Sequence, residues 1–142
     1  MTMSTDAVVA QDPEHLAVHD AQNVRLRGSR CTSCGRHFFP RRWECAVDQA
    51  PCEDVELSTE GTLHVSTYVN TPSYGKAQLE AEGYGVGQID LPEGVRIQAV
   101  LAGDPAQWKW DAPFHLTTEA LGTDREGRTI LAYRFAPGRR EP

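Results

Sequence analysis

Apolar and polar residues alternate with a period of two in several short stretches of the chain beyond residue 54. In GTLHVSTYVN, residues 61–70, one side of the predicted strand carries Leu63, Val65, Thr67 and Val69. The intervening positions are His, Ser, Tyr and Asn. This alternation is typical of a half-buried β-strand, so we expect the four residues to share the buried face.

Two hairpins follow. VGQIDL, residues 86–91, and VRIQAVLA, residues 95–102, are separated by the turn Pro-Glu-Gly. The second of these strands is predicted to present one apolar face, formed by Val95, Ile97, Ala99 and Leu101. FHLTTEALG, from Phe114, and TILAYRFA, from Thr129, flank the charged turn TDREGR and predict the second hairpin.

The predicted strands between residues 55 and 137 number five and contain little helical pattern. A small closed barrel is the economical way to remove the edges of so few strands, and a five-stranded OB-fold barrel matches the count. Lys76 to Glu82 is predicted to form a short helix or ordered loop. Nearer the N-terminus, Pro13 to Asn23 is predicted to form a short helix, and Ala7 to Asp12 to be disordered.

Composition and charge narrow the class of protein. The chain has 142 residues, enough for one domain with a small appendage, and a formal net charge of -6. A protein with a negative net charge is poorly suited to binding nucleic acid through contacts with its phosphates. No apolar run of about 18 residues is present, and the N-terminus lacks the basic flank and apolar stretch of a secretory signal. We expect a cytoplasmic protein that does not bind a membrane.

All four cysteines lie within one short segment, as Cys31-x2-Cys34-x10-Cys45-x6-Cys52. In CTSCG a two-residue spacing directs both sulfurs to one point, and Gly35 permits a positive φ. Two disulfides would need an oxidising compartment. An iron centre would be expected to have two matching pairs, and a redox dithiol a βαβ setting. The pattern therefore favours tetrahedral zinc held by Cys31, Cys34, Cys45 and Cys52.

Four thiolates close the zinc coordination sphere, so the predicted metal is structural. His37 is an alternative fourth ligand if Cys52 does not reach the metal. Four thiolates and Zn²⁺ together carry a charge of about -2. The arginines beside the ligands are expected to offset it, and they are Arg30, Arg36, Arg41 and Arg42.

Residues that could act in catalysis are few. His64 and His115 are interpreted as ordinary strand residues, and Asp90 and Glu93 as turn residues. The glycines of GYGVG, residues 83–87, precede a strand and are interpreted as sites of close packing or a bulge. The aromatic residues suit either a protein interface or base stacking, and we favour the interface; they are Trp43, Tyr68, Tyr74, Tyr84, Trp108 and Trp110.

The order of these motifs resembles a known family. RCTSCGRHFFPRRWEC, GTLHVSTYV and YGVGQIDLPEGVRIQAVLAG, between residues 26 and 137, are similar to the DUF35 family of zinc-ribbon and OB-fold proteins associated with acyl-CoA metabolism. The second CxxC usual in that family is replaced here by the wider pair Cys45 and Cys52. The resemblance implies a mostly β fold: a rubredoxin-like zinc ribbon at residues 25–54 and an OB-fold barrel at 55–137. An N-terminal extension with a short helical segment (1–24) and a tail (138–142) flank them.

The resemblance also implies a function. Members of this family assemble with thiolase-like proteins to form thiolases, acyltransferases or aldolases that act on acyl-CoA, and the partner holds the catalytic groups. We accordingly assign no catalytic residue and expect a hetero-oligomer whose substrate is a coenzyme A thioester. The alternative is a free-standing zinc-ribbon OB-fold module that binds single-stranded nucleic acid.

Overall fold

A computed structural model describes residues 8–69 and 83–139 of the chain. Within these ranges it contains strands and a single 3-10 helix, at Pro105–Gln107. The strands are β1 (Val8–Ala10), β2 (Leu16–Asp20), β3 (Asn23–Cys31), β4 (His37–Phe38), β5 (Cys52–Glu56), β6 (Glu60–Val69), β7 (Tyr84–Asp90), β8 (Arg96–Leu101), β9 (Pro113–Thr123) and β10 (Thr129–Pro137). The predicted mostly β fold is confirmed.

Strands β6 to β10 form a closed five-stranded barrel. Their hydrogen-bonded neighbours run β6, β7, β8, β10 and β9, and β9 pairs again with β6. The contact between β8 and β10 is parallel, at Leu101 and Phe135, and the other pairs are antiparallel. A second sheet of β2, β3, β4 and β5 precedes the barrel and forms the ribbon.

Both predicted hairpins are present. β7 and β8 pair with Ile89 opposite Ile97, and Gly94 takes a φ of 90° in the turn between them. The predicted apolar face of this segment is buried, at Val95, Ile97, Ala99 and Leu101. β9 and β10 pair along their length around the charged turn. The strand and turn patterns therefore predicted these four of the five barrel strands correctly.

The predicted buried face of β6 was only partly correct. Leu63 is buried, but Val65 is 50% exposed and Thr67 is exposed. The register with β7 shifts between Leu63 and Val65, so that His64 has no partner across the strand pair. A β-bulge of this kind adds one residue and reverses the face that later side chains occupy. The segment predicted to be a short helix or ordered loop, residues 76–82, lies outside the described residues.

The predicted short helical segment at Pro13 to Asn23 was wrong. The centre of this stretch, Leu16–Asp20, forms strand β2, which pairs antiparallel with β3 so that Leu16 lies opposite Leu26. The Asp20 carboxylate accepts a hydrogen bond of 2.8 Å from the Gln22 amide and thereby shapes the turn between the strands. Residues 8–10, predicted to be disordered, pair in parallel with β10. Tertiary pairing thus overrides the local helical pattern.

The hydrophobic core is continuous between the two sheets. Leu26 of β3 is fully buried, and so is Leu57 in the linker between β5 and β6, residues 57–59. Three barrel residues are also fully buried: Ile89, Phe114 and Phe135. All five belong to one cluster of packed apolar side chains. Strand β3 begins within this core and ends at Cys31. Packing of β3 in the core therefore fixes the position of the first cysteine.

Among the described residues, no helix has the length and hydrophobicity needed to cross a bilayer.

Candidate metal centre

The first two cysteines lie in a tight loop that follows strand β3. We call residues 31–36 the first knuckle. The amides of Ser33 and Cys34 donate hydrogen bonds of 3.4 and 3.3 Å to Sγ of Cys31. Gly35, at a φ of 80°, donates its amide to the Cys31 carbonyl at 3.1 Å. Amides directed at a sulfur favour its thiolate form, which is the form that binds metal.

Four side chains in the ribbon converge. Cys31, Cys34, Cys45 and Asp48 each offer an atom that lies within 4.8 Å of the other three. Sγ of Cys34 is 3.8 Å from Sγ of Cys45, and Sγ of Cys31 is 3.4 Å from Oδ1 of Asp48. Cys31 and Cys45 are buried, whereas Cys34 and Asp48 are exposed. Two of the four side chains are therefore buried in the ribbon, and the other two face solvent.

The donor atoms suit zinc. Three sulfurs and a carboxylate at mutual distances below 5 Å can all reach one ion with ordinary zinc bond lengths of about 2.0–2.3 Å. A closed set of four protein ligands is characteristic of structural zinc, which supplies folding energy and leaves no open position for substrate. The residues present thus fit the metal that the cysteine pattern predicts.

Cys52 lies beside this group without belonging to it. It is the partner of Cys31 across strands β3 and β5, and its amide donates to the Trp43 carbonyl at 2.9 Å. Its side chain is half-buried. His37, the alternative ligand considered from the sequence, lies on β4 opposite Arg30 and is not part of the group among the described residues.

The immediate environment shifts the acidity of these groups in different directions. The hydrogen bond from the Cys34 amide lowers the pKa of the Cys31 thiol. The Ala50 amide, at 2.9 Å from Oδ1, lowers the pKa of the Asp48 carboxyl. Burial raises the pKa of the Cys52 thiol, and the neighbouring Cys31 and Cys45 sulfurs raise it further. Cys31 and Asp48 are the groups whose surroundings favour the ionised, metal-binding form.

The arginines near the cysteines have separate partners. Arg36 lies 3.8 Å from Sγ of Cys34, as expected for a cation that offsets thiolate charge. Arg30 instead pairs with Glu53 at 3.1 Å, and Arg41 with Glu14 and Asp54 at 2.8 and 3.1 Å. Arg42 lies over the ring of Phe38. The expectation that these arginines offset the charge of the cluster is supported for Arg36 and for Arg42, whose positive charge counteracts the raised pKa of Cys52.

Asp48 is the residue that sequence reasoning missed. The ligands predicted from the sequence were the four cysteines, with His37 as an alternative. Asp48 was not among them, although Cys45-x2-Asp48 has the same spacing as Cys31-x2-Cys34. A search for any metal-binding side chain at the second position of a knuckle would have found it.

Other titratable groups form ordinary surface pairs. His64 lies 3.9 Å from Asp90, which accepts a hydrogen bond of 2.6 Å from Arg96. That hydrogen bond lowers the pKa of Asp90. His115 contacts the Gly138 carbonyl at 2.9 Å. Among the described residues, neither histidine has a hydroxyl or thiol partner, so neither forms the nucleophile and base pair of covalent catalysis.

The glycines of the GYGVG segment allow close packing, as the sequence indicated. A Cβ on Gly85 would lie 2.0 Å from Cζ3 of Trp108, and a Cβ on Gly87 would lie 2.8 Å from Cδ1 of Leu101. Trp108 also donates its indole N–H to the Ala102 carbonyl at 3.1 Å. Trp108 is therefore a packing residue of the barrel.

Four of the other aromatic residues are exposed. Trp43 is 92% exposed on the ribbon, and Trp110 is 76% exposed in the connection before β9. Tyr68 and Tyr84 lie on the paired ends of β6 and β7 and are partly exposed. Tyr74 lies outside the described residues.

Comparison with known proteins identifies similar chains. Residues 20–48 match the family model for the ChsH2 rubredoxin-like zinc ribbon domain. The benzoylsuccinyl-CoA thiolase subunit BbsA of Thauera aromatica is 32% identical over 117 residues, which cover 82% of this chain and 78% of that protein. A DUF35 domain-containing scaffold protein of Methanothermobacter thermautotrophicus is 32% identical over 81 residues, covering 56% of this chain and 59% of its own length.

Among solved structures, the Ltp2-ChsH2(DUF35) aldolase aligns with a TM-score of 0.57 and 23% identity over 80% of this chain and 84% of that chain. This likeness supports the fold, a ribbon followed by a barrel. The sequence relatives and the ribbon match lead to one conclusion: the chain belongs to the DUF35 family.

Proposed function

We propose that this protein is a non-catalytic subunit that assembles with a thiolase-superfamily subunit acting on acyl-CoA. The observation that carries the proposal is its 32% identity, over 82% of the chain, to a protein named as a thiolase subunit. A second thiolase subunit of the same name, from Geobacter metallireducens, is 28% identical over 78% of the chain. Both likenesses extend well beyond the ribbon.

The placement of the cysteines supports this division of labour. Thiolase-type chemistry needs a free nucleophilic cysteine and a nearby base. Here all four cysteines lie in the ribbon, three of them converge on one point, and Cys52 is half-buried beside them with a raised pKa. A thiol in that state is a poor nucleophile. The catalytic groups, and the choice of thiolytic or aldol chemistry, are thus assigned to the partner.

The exposed side chains of the ribbon support a role in assembly. Trp43 is 92% and Val47 is 63% exposed, although both belong to the segment that supplies the metal-binding side chains. The Trp43 carbonyl accepts the Cys52 amide, so its backbone is held in place. Rigidly presented tryptophans are enriched among residues that dominate binding energy at interfaces.

The first test is assembly itself. Mixed with its thiolase-like partner, the protein is expected to elute as one larger heteromer in gel filtration, even at several hundred millimolar salt. Apolar contacts resist salt, whereas binding driven by phosphate charge weakens steeply as salt rises. The isolated chain is expected neither to turn over acyl-CoA nor to bind single-stranded DNA or RNA at physiological ionic strength.

Two results would contradict the proposed function. Turnover of acyl-CoA by the isolated chain would contradict the non-catalytic role. Tight oligonucleotide binding with a steep salt dependence would instead support a nucleic-acid module. In the assembled complex, His64→Ala should leave turnover within a few-fold of normal, because the contact that the described residues make with His64 is an exposed one from Asp90. A loss of about 100-fold with assembly intact would make His64 an acid or base.

The second test concerns Trp43. Trp43→Ala is expected to weaken the complex about thirtyfold, the effect of losing an interface residue worth about 2 kcal/mol. Isothermal titration with the partner measures the change. Because the Trp43 side chain is almost fully exposed, zinc content and melting temperature should stay unchanged.

Trp43→Phe serves as the matched control, since it keeps an aromatic side chain and should recover most of the affinity. Equal affinity for wild type and Trp43→Ala would place the interface elsewhere on the protein.

A further inference from the structure

The ribbon contains a second loop whose hydrogen bonds repeat those of the first. We call residues 45–50 the second knuckle. In the first knuckle, the Cys31 amide donates to the Arg36 carbonyl at 2.8 Å, and the Gly35 amide donates to the Cys31 carbonyl at 3.1 Å. In the second, the Cys45 amide donates to the Ala50 carbonyl at 2.9 Å, and the Gln49 amide donates to the Cys45 carbonyl at 3.0 Å. The offsets along the chain are identical.

The repetition extends to the sulfur and to the backbone angles. The Val47 amide donates to Sγ of Cys45 at 3.3 Å, as the Ser33 amide does to Sγ of Cys31 at 3.4 Å. Gln49 has a φ of 63°, matching the positive φ of Gly35 at the same position of the first knuckle. A glutamine in this left-handed region is uncommon, so the loop keeps the knuckle conformation at some conformational cost.

This correspondence assigns a position to Asp48. It is the third residue after Cys45, as Cys34 is the third residue after Cys31. Its Oδ1 accepts a hydrogen bond of 2.9 Å from the Ala50 amide, which orients the carboxylate within the loop. Asp48 therefore stands where a symmetrical pair of knuckles would have its fourth ligand.

The distances agree with a tetrahedron that includes Asp48. Tetrahedral zinc, with bonds of about 2.3 Å to sulfur and about 2.0–2.2 Å to oxygen, sets two sulfurs about 3.8 Å apart and a sulfur and an oxygen about 3.5 Å apart. The sulfurs of Cys34 and Cys45 are 3.8 Å apart. Sγ of Cys31 lies 3.4 and 3.6 Å from the two oxygens of Asp48. These two ligand pairs have the separations expected for a tetrahedron, and the other pairs lie within 4.8 Å.

Cys52 has a different setting. It begins strand β5 and reaches the cluster as the cross-strand partner of Cys31, not as part of a knuckle. Within the described ranges, the set of donor atoms that all lie within 4.8 Å of one another contains Asp48 and excludes Cys52. Three cysteines and Asp48 complete the four-coordinate sphere of structural zinc, which leaves no position for Cys52.

We propose that the metal is held by Cys31, Cys34, Cys45 and Asp48, and that Cys52 remains a free thiol beside the site. This replaces Cys52, the fourth ligand expected from the cysteine count, with a carboxylate. The proposal concerns the ribbon alone and stands or falls independently of the thiolase-like partner.

Cobalt substitution of the full chain tests the ligand set, because sulfur-to-cobalt charge-transfer absorbance grows with the number of bound thiolates. Cys52→Ser should leave the absorbance at full loading unchanged, since it removes no ligand. Asp48→Cys should raise it by about one third, because four thiolates then replace three. A fall of about one quarter in Cys52→Ser would overturn the proposal, since one of four thiolates would have been lost.

A second measurement needs no variant. Zinc-edge X-ray absorption of the native protein should give three sulfur neighbours and one oxygen neighbour. Four sulfur neighbours would overturn the proposal whatever the variants do. If Asp48→Cys fails to fold, the Cys52→Ser comparison and the absorption measurement still decide the question.

Discussion

Replacing Cys31 with Ser is expected to abolish zinc binding and to unfold the metal-binding segment of the ribbon, residues 32–52, while the barrel and the strands packed on it remain folded. Between residues 29 and 52, the buried side chains are Ser29, Cys31 and Cys45. This segment has no apolar core of its own. Structural zinc contributes an apparent free energy of about 10–16 kcal/mol in small zinc modules, which is comparable with the whole stability of a typical domain, about 5–15 kcal/mol.

Two measurements check this expectation. Elemental analysis should find one zinc per chain in the wild type and none in Cys31→Ser. Hydrogen exchange should show protection lost between residues 32 and 52 and retained in β7 and β8. Ser33→Ala is the matched control, because the exposed Ser33 contributes only its backbone amide to the knuckle. Zinc retained by Cys31→Ser, or equal loss of protection in the barrel, would contradict the expectation.

Replacing Leu26 with Ala is expected to destabilise the whole protein by about 2–5 kcal/mol, the usual effect of removing a buried leucine side chain. Leu26 is fully buried in the cluster that includes Ile89 and Phe114 of the barrel. Its carbonyl accepts the Leu57 amide at 2.9 Å, so the strand is also tied to the linker. The cavity would therefore form where the two sheets share one core.

Urea unfolding of the zinc-loaded chain measures the free-energy change. Circular dichroism and zinc release should report the same transition in Leu26→Ala, because strand β3 connects the core to Cys31. Val65→Ala, at a half-exposed site on β6, is the control and should change the stability by less than about 1 kcal/mol. Two separate transitions in Leu26→Ala, or a loss below that of the control, would show that the cores are independent.

Local patterns predicted those parts of the fold that depend on neighbouring residues. Alternation and turn residues predicted the hairpin of β7 and β8, including the buried face from Val95 to Leu101, and the hairpin of β9 and β10. Each hairpin brings together strands that are adjacent in sequence, so its signal lies within about 20 residues.

Sequence patterns gave wrong predictions where residues that are distant in the sequence decide the local structure. Leu16 and its neighbours were predicted to be helical, but they form a strand because they pair with β3 and bury Leu16 against the core. Val65 was predicted to be buried, but the bulge at His64 places it on the exposed face. A bulge is set by the pairing of two strands and by the closure of the barrel, and a period-two pattern on one strand does not contain it.

For the metal site too, the sequence predicts one part and the tertiary structure decides the other. The sequence alone predicted a site of four cysteines with a knuckle at Cys31-x2-Cys34, and the structure brings three of those cysteines into one group. The spacing Cys45-x2-Asp48 marks Asp48 as a candidate ligand, but only the tertiary structure shows that its carboxylate lies in the group and that Cys52 lies beside it. That outcome depends on the turn at Gln49 and on the pairing of β3 with β5, which bring side chains from separate segments within bonding distance of one point.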